Sequence, residues 1–341
     1  MDSSRRPRLT PAIADLRRAV REGFASRFGS DASGTAVGGD RLVLVALSGG
    51  GDSLALAAAV AFEAPRAGLR AGAVIVDHGL QEGSADAAAR AARQATELGL
   101  DPVRVVTVTV GADGGPEAAA RTARYAALDE AARSTGAAAV LLGHTLDDQA
   151  ETVLLGFARG SGAASVRGME RQLGIYSRPL LGIRRSQTHQ ACIDAGLEPW
   201  TDPQNSDPAY ARVRVRERVL PVLEAELGPG IAESLARTAE QLREDDDALH
   251  HFAEEIAEEL ADIAEAGISL PVRALASNPA ALRQRLIRLA VQAEFHLSLS
   301  RAHTLEVARL VTDWHGQGPI DLPGVRAERV GGLIVFSARG D

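Results

Sequence analysis

The stretch Val43-Leu44-Val45-Ala46-Leu47-Ser48-Gly49-Gly50-Gly51-Asp52-Ser53 decides the fold. Its first five residues are an apolar run that reads as a buried strand. A Ser, three glycines, an Asp and a Ser follow, and an Ala/Leu-rich helix from Leu54 to Phe62 comes next. Glycines let the backbone turn its N–H groups inward and approach an anion with no Cβ in the way. A helix start adds free N–H donors and the positive end of the dipole. Ser48 and Ser53 add hydroxyls. Asp52, a carboxylate beside phosphates, makes sense if Mg²⁺ sits between them. Ser48 to Ser53 therefore read as a cradle for a diphosphate, although three glycines also suit a tight βα turn that holds nothing.

Two nucleotide loops are excluded. A Walker A loop needs a Lys after its last Gly, and the sequence contains no lysine: its 37 cationic residues are all Arg. Lysine Schiff-base chemistry is excluded for the same reason. The dinucleotide pattern G-x-G-x-x-G is absent from this turn.

Alternation of strand and helix extends outward from the glycine turn. Strands are expected at 41–47, 72–76, 103–110 and 138–142, with helices after each and a shorter strand within 174–181. This predicts an α/β fold with a doubly wound, mostly parallel sheet, whose ligands lie outside the carboxyl ends of the strands. A helix near 11–28 and a Gly/Ser/Asp linker over 29–40 precede the sheet. From about Asp207 the pattern turns helical, with helices expected over 207–227, 230–266, 279–297 and 300–314 and a hairpin over 320–338. The expected division is an N-terminal helix and linker (1–39), a nucleotide-binding catalytic domain (40–221) and a smaller, mainly helical domain with a C-terminal hairpin (222–341).

Four polar clusters fall at strand ends or on helices. Asp77-His78-Gly79-Leu80 closes the second strand, where backbone groups could read a nucleobase edge. Arg121 and Arg124 stand three apart on one helical face, suited to phosphate or to a simple surface pair. His144, Asp148 and Glu151 aim an imidazole and two carboxylates at one volume, for Mg²⁺, a cationic substrate or proton transfer. Arg212, Arg214, Arg216 and Arg218 suit a nucleic-acid backbone, or pairing with the acidic helix that follows. That segment, residues 221–270, holds 14 acids against Arg237 and Arg243, and the whole chain carries a net charge of -8. An acidic balance argues mildly against a general nucleic-acid binder.

Taken in order, these runs resemble the PP-loop ATP pyrophosphatase superfamily. More narrowly they resemble its tRNA(Ile)-lysidine synthetase family, through Ser48 to Ser53, Val76 to Leu80, Ala123-Arg124-Tyr125, Gly143 to Thr152, Arg159 to Gly162, Arg178-Pro179-Leu180-Leu181 and Asp202 to Pro221. The resemblance implies ATP and Mg²⁺, free lysine, and an isoleucine tRNA with a CAU anticodon. The implied reaction adenylates the cytidine at the first anticodon position, expels pyrophosphate, and lets the lysine ε-amine displace AMP. Ser48, Gly49, Gly50, Gly51, Asp52, Ser53, Asp77 and His78 would bind ATP, with Asp52 orienting the metal. Arg124 would stabilise charge on the α-phosphate. Asp148 and Glu151 would hold and help deprotonate lysine, and His144 would position the adenylate or shuttle a proton. Spacing does not choose the base among these three. Arg212, Arg214, Arg216 and Arg218 would meet tRNA. The family usually carries Asn after the first of these arginines, where this chain has Val213.

A tRNA cytidine thiolase on the same loop is the nearest rival, but relatives with that chemistry use paired Cys or an iron–sulfur cluster, and Cys192 is the one cysteine here. Amidotransferase-linked PP-loop enzymes lack an Arg-dense segment of this kind. A non-catalytic adenine-nucleotide-binding protein would need the glycine turn and not the His144–Glu151 cluster. One cysteine suits a reducing cytoplasm, no apolar run is long enough to span a bilayer, and the sequence sets no oligomeric state.

Overall fold

The protein is described by a computed structural model at all residues except 1–8, 30–39, 80–82, 112–114, 161–162, 203–205, 261, 265–266 and 340–341, and except for the side chains of 116–117, 163–164, 262–264 and 267. Most of the linker, Leu80, Ser161, Gly162 and residues 203–205 of the motifs lie outside the described residues. Two compact units emerge, residues 1–240 and 241–341.

The first unit opens with α1 (Pro11–Phe28), which starts with Pro in its first turn, as a helix that needs no N–H there allows. The sheet strands are β1 (Leu42–Ala46), β2 (Arg70–Asp77), β3 (Val103–Thr107), β4 (Ala139–Leu142), β5 (Gln172–Leu173) and β6 (Tyr176–Ser177). Their order is β3-β2-β1-β4-β6-β5, parallel throughout except for β5, which runs antiparallel to β6. The helices between them are α2 (Gly51–Glu63), α3 (Ser84–Glu97), α4 (Pro116–Thr135), α5 (Leu146–Arg159), α6 (Ala163–Val166) and α7 (Arg185–Ala195).

Alternation of side chains along β1 explains the layers. Val43 and Val45 join one core with α1, α2, α3 and α7, built on Leu16, Phe24, Leu54, Leu56, Ala91 and Ala191. Leu42 and Leu44 join a second core with Leu128, Ala131 and Ala132 of α4. Both faces of the central strand are covered, which is why it reads as a continuous apolar run. The chain moves from β1 to β2 and β3, then returns to the other side of β1 as β4. The order thus reverses between β1 and β4, and in open sheets of this kind ligands bind beyond the carboxyl ends at that point.

Three local differences from the expected elements bear on the site. Helix α2 begins at Gly51 and not at Leu54, so Asp52 and Ser53 lie in its first turn. Helix α7 was not expected, because Arg185-Ser186-Gln187-Thr188-His189-Gln190 shows no apolar period. Over 211–227 the helix is broken into α8 (Ala211–Arg214), a π turn (Val215–Val219) and α9 (Leu220–Leu227). The wide turn precedes Pro221, which has no N–H to return to a preceding carbonyl.

The unit boundary falls within α10 (Ile231–Leu260). The second unit continues with β7 (Asp262–Ala264), β8 (Gly267–Pro271), α11 (Val272–Ser277), α12 (Ala280–Phe295), α13 (Arg301–Thr312), β9 (Ile320–Leu322), β10 (Val325–Val330) and β11 (Leu333–Ala338). The helix expected to reach 266 ends at Leu260, and the chain pairs as a strand instead. The expected hairpin is β10–β11, and it sits inside a five-stranded antiparallel sheet of order β7-β8-β11-β10-β9. Ile268, Leu270, Ile334 and Phe336 on one face of that sheet pack on Leu286, Ile287, Val291 and Val307. Among the described residues no helix is long and apolar enough to cross a membrane.

Candidate functional site

The glycine turn is shaped from within. Gly49 has φ +84°, a left-handed backbone that an L side chain would strain. Ser53 Oγ donates to the Gly50 carbonyl at 3.0 Å, and the Ser48 N–H donates to Ser53 Oγ at 3.2 Å. The two serines therefore close the turn across the start of α2. Gly50, the N-cap residue, places no side chain over that start. Neighbouring elements come close to the turn. A Cβ on Gly51 would lie 2.8 Å from the His189 ring, and one on Gly143 would lie 3.0 Å from Ser53 Cα. The Trp200 N–H donates to the Gly49 carbonyl at 2.9 Å. Cys192 Sγ–H donates to the Gly51 carbonyl at 3.3 Å.

At the end of β2, Asp77 is buried and its Oδ1 accepts from the Gly79 N–H at 3.0 Å, which fixes the corner. The ring of His78 follows, with a solvent-shielded Nδ1 that has no partner among the described residues. Burial lowers the His78 pKa, and the Arg124 guanidinium lowers it further. Arg124, on α4, forms no ion pair among the described residues. Burial depresses its pKa, as do the neighbouring cations Arg121 and Arg212. A partly desolvated guanidinium with no carboxylate partner favours an incoming anion. Arg121 is exposed and stacks over the Tyr125 ring at 4.9 Å.

Helix α5 supplies the opposite wall. Thr145 caps it, and Asp148 Oδ2 accepts from the Thr145 N–H and Oγ1–H, both at 2.9 Å. His144 shields an Nδ1 with no partner among the described residues. Burial holds its pKa well below the usual imidazole range against the pull of Asp148, with Arg178, Arg124 and Arg212 adding to the lowering. This environment favours the neutral imidazole over the imidazolium. Glu151 is 0% exposed.

Arg185 joins the two walls. Its Nη2 donates to Asp148 Oδ1 at 2.7 Å, its Nη1 to Glu151 Oε1 at 3.1 Å, and its Nε to Asp52 Oδ2 at 3.3 Å. Burial resists ionisation of Asp148, yet Arg185 and the Thr145 N–H hold its carboxyl below the usual range. Asp52 goes the other way: burial raises it, against the Thr188 hydroxyl and Arg185. Arg185 and Thr188 are the participants that the sequence did not offer. They lie more than a hundred residues from Asp52, and no local spacing announces them.

The four arginines of the 212–218 segment divide. Arg212 and Arg216 stand four apart and face α5. Arg216 Nε meets Glu151 Oε1 at 2.7 Å, while Arg212 Nη2 donates to Thr152 Oγ1 at 2.8 Å and its Nε lies 3.5 Å from Glu151 Oε2. Arg214 and Arg218 are exposed, and Arg214 Nη1 donates to the carbonyls of Pro208 and Ala209. The acids that receive Arg212 and Arg216 are thus on α5, not in the 221–270 segment. Val213 is buried, so the position that holds Asn in the resembling family is apolar here.

Among the described residues no group of three His, Cys, Asp or Glu is placed to hold a metal. Asp52 offers a single hard-oxygen ligand beside the glycine turn, and its two hydrogen-bonded oxygens retain further lone pairs. This suits an ion that arrives on phosphate oxygens and keeps waters, as Mg²⁺ does, and not a protein cage.

A family model of the PP-loop domain matches residues 25–223, and a model of the TilS substrate binding domain matches residues 270–332. A tRNA(Ile)-lysidine synthase of Leifsonia xyli subsp. xyli is 66% identical over 86% of this chain and 89% of its own length. Another from Thermobifida fusca is 55% identical over 87% of this chain and 92% of its own. A third, from Streptomyces coelicolor, is 54% identical over 86% and 85%. Among solved structures, a U34-tRNA thiolase from Methanococcus maripaludis with a [4Fe-4S] cluster superposes with a TM-score of 0.56 at 21% identity, covering 68% of this chain and 80% of that one. That likeness concerns the fold.

Proposed function

Because the chain belongs to the tRNA(Ile)-lysidine synthase family, we propose that it joins free lysine to the cytidine at the first anticodon position of an isoleucine tRNA with a CAU anticodon, at the expense of ATP. The cytidine O2 attacks the α-phosphorus and pyrophosphate leaves. The lysine ε-amine then attacks C2, AMP leaves, and the amine proton passes to a base on the wall.

Each cluster has a place in this reading. Ser48 to Ser53 hold the departing diphosphate with backbone N–H groups at an uncapped helix start. Asp77 and His78 hold the nucleoside end. Asp52 would hold Mg²⁺, which would supply charge neutralisation on the leaving group. Arg124, without an acid of its own, stabilises charge that builds on the α-phosphate. Asp148 and Glu151 would bind the lysine ammonium only by giving up for it the guanidiniums of Arg185, Arg212 and Arg216 that now hold them. With His144 they would help take its proton, since an ammonium cannot attack. Arg214 and Arg218 face outward, where a phosphate backbone would meet them. Arg212 and Arg216 reach RNA only by leaving Thr152 and Glu151. No lysine of the chain itself can serve as the nucleophile, since the chain has none. A cytoplasmic setting suits its single cysteine and its RNA substrate.

One observation carries the reading. Asp52 of the diphosphate turn and the Asp148–Glu151 wall share a single guanidinium, so a triphosphate and an amine could meet across one crevice. A thiolase reading fails on the cysteine count, since one thiol cannot hold a cluster. Exchange of labelled pyrophosphate into ATP, measured with and without the tRNA, separates enzyme from nucleotide sensor. The proposed function requires exchange with the CAU tRNA present, and its absence in both cases would leave only nucleotide binding.

A further inference from the structure

Asp52 is held on both oxygens by one helix. Arg185 Nε donates to Oδ2 at 3.3 Å, and the single Thr188 hydroxyl proton is shared between Asp52 Oδ1 and the Arg185 carbonyl, 2.7 Å from Oγ1. The two donors stand three apart on α7 and so share a face. The rest of the Arg185 guanidinium is taken by Glu151 and Asp148. Helix α7 is itself fastened to α5, since the Arg185 N–H donates to Asp147 Oδ2 at 2.7 Å and Arg184 Nη2 lies 3.2 Å from Asp147 Oδ1. Thr188 is fully buried.

We propose that Arg185 and Thr188 are positioning residues that lock the metal-facing carboxylate of the glycine turn to the lysine-binding wall. The inference rests on the reading of Asp52 as the carboxylate beside Mg²⁺. Packing alone gives no reason for this arrangement. A buried charge cluster is a poor source of stability, because desolvation offsets much of its Coulomb gain. A threonine hydroxyl aimed at a carboxylate adds direction where Val would pack as well. The planar guanidinium can aim separate N–H bonds at three carboxylates at once, whereas an ammonium is a point charge. The two half-reactions thereby share one geometry: a shift of α7 moves the metal-facing carboxylate and the amine-binding carboxylates together.

The test uses the full chain with Thr188→Val, Arg185→Lys and Arg185→Gln. Electron paramagnetic resonance of Mn²⁺, titrated with a nonhydrolysable ATP analogue, reads the Asp52 side without turnover. Steady-state lysine transfer reads the α5 side, and thermal unfolding reports stability. Thr188→Val should weaken Mn²⁺–nucleotide binding about threefold or more with an unchanged KM for lysine, as loss of a charge-assisted hydrogen bond predicts. Arg185→Lys should weaken Mn²⁺ binding and also impair lysine transfer, each about tenfold, because the three donors of an ammonium radiate from one nitrogen and do not span the three carboxylates that Nε, Nη1 and Nη2 reach. If Arg185→Gln fails to fold, Arg185→Lys and Thr188→Val still decide. Both variants keeping Mn²⁺ affinity and lysine kinetics within about twofold of the parent, with only the melting temperature lowered, would overturn the proposal. A parent protein that binds Mn²⁺ and nucleotide but transfers no lysine would defeat the functional reading, while the Mn²⁺ measurement would still decide the role of α7.

Discussion

Arg216 grips Glu151 with two hydrogen bonds, Nε to Oε1 at 2.7 Å and Nη2 to Oε2 at 3.0 Å. The fork matches the carboxylate, and Glu151 has no solvent contact to replace it. The Arg-dense helix and the acid wall are therefore one network. Arg216→Met should destabilise the protein by roughly 1–2 kcal/mol, less than the cost of breaking an isolated buried pair, because Arg185 and Arg212 remain on Glu151. Urea unfolding monitored by circular dichroism checks this, and an unchanged midpoint would mean that Glu151 does not depend on the fork.

Glu151→Gln removes one anion from a set of three arginines and three acids. The variant should fold with reduced stability and still bind ATP, because the glycine turn meets Glu151 only through Arg185, which keeps its bonds to Asp52 and Asp148. Lysine transfer should fall by about a hundredfold or more, the usual loss for a general base. Single-turnover kinetics with preformed enzyme–tRNA–ATP complex would show this, and full transfer would remove Glu151 from the mechanism.

Acid should weaken the fold below about pH 6.5, the ordinary imidazole value. His144 and His78 have folded pKa values below that of the unfolded chain. The unfolded state then binds more protons, so stability rises with pH in this window and is fully present above it. Asp148, held low, adds a loss only below the ordinary carboxylate range, while Asp52, held high, opposes both as it protonates. Stability measured from pH 7 to 5 should decline in the parent and decline less in His144→Gln. Equal slopes would contradict a desolvated His144.

Cys192 is buried against the glycine turn, and burial pushes its thiol up to about 12. The thiolate is the reactive form. Alkylation by iodoacetamide at pH 8 should therefore be slow in the native protein and rapid in urea, and equal rates followed by mass spectrometry would contradict the packing of α7.

The sheet was legible because its strands are buried on both faces. Val43 to Leu47 and Ala139 to Leu142 are uninterrupted apolar runs, followed by Ser48-Gly49 and by Gly143-His144, where the polar clusters begin. Helix α7 was not legible, since only Thr188, Ala191 and Cys192 of its eleven residues are buried. Strand β7 was hidden because Ala261 to Ala266 continue the Ala/Glu composition of α10, and its pairing with β8 is tertiary information. Asp148 and Glu151 were picked out by helical spacing and both reach Arg185, while His144 precedes α5 and is near enough to Asp148 for their charges to interact. Arg185 was invisible to any such rule. Likewise the split of Arg212 and Arg216 from Arg214 and Arg218 follows from helical pitch, but which pair faces inward depends on where α5 lies.

The most direct test is incorporation of radiolabelled lysine into purified isoleucine tRNA bearing the CAU anticodon, with ATP and Mg²⁺. The account predicts label in that RNA at close to one lysine per tRNA, with one AMP released for each, and none in the same RNA with uridine at the first anticodon position. Saturating ATP, Mg²⁺ and lysine without label in the CAU tRNA would contradict it.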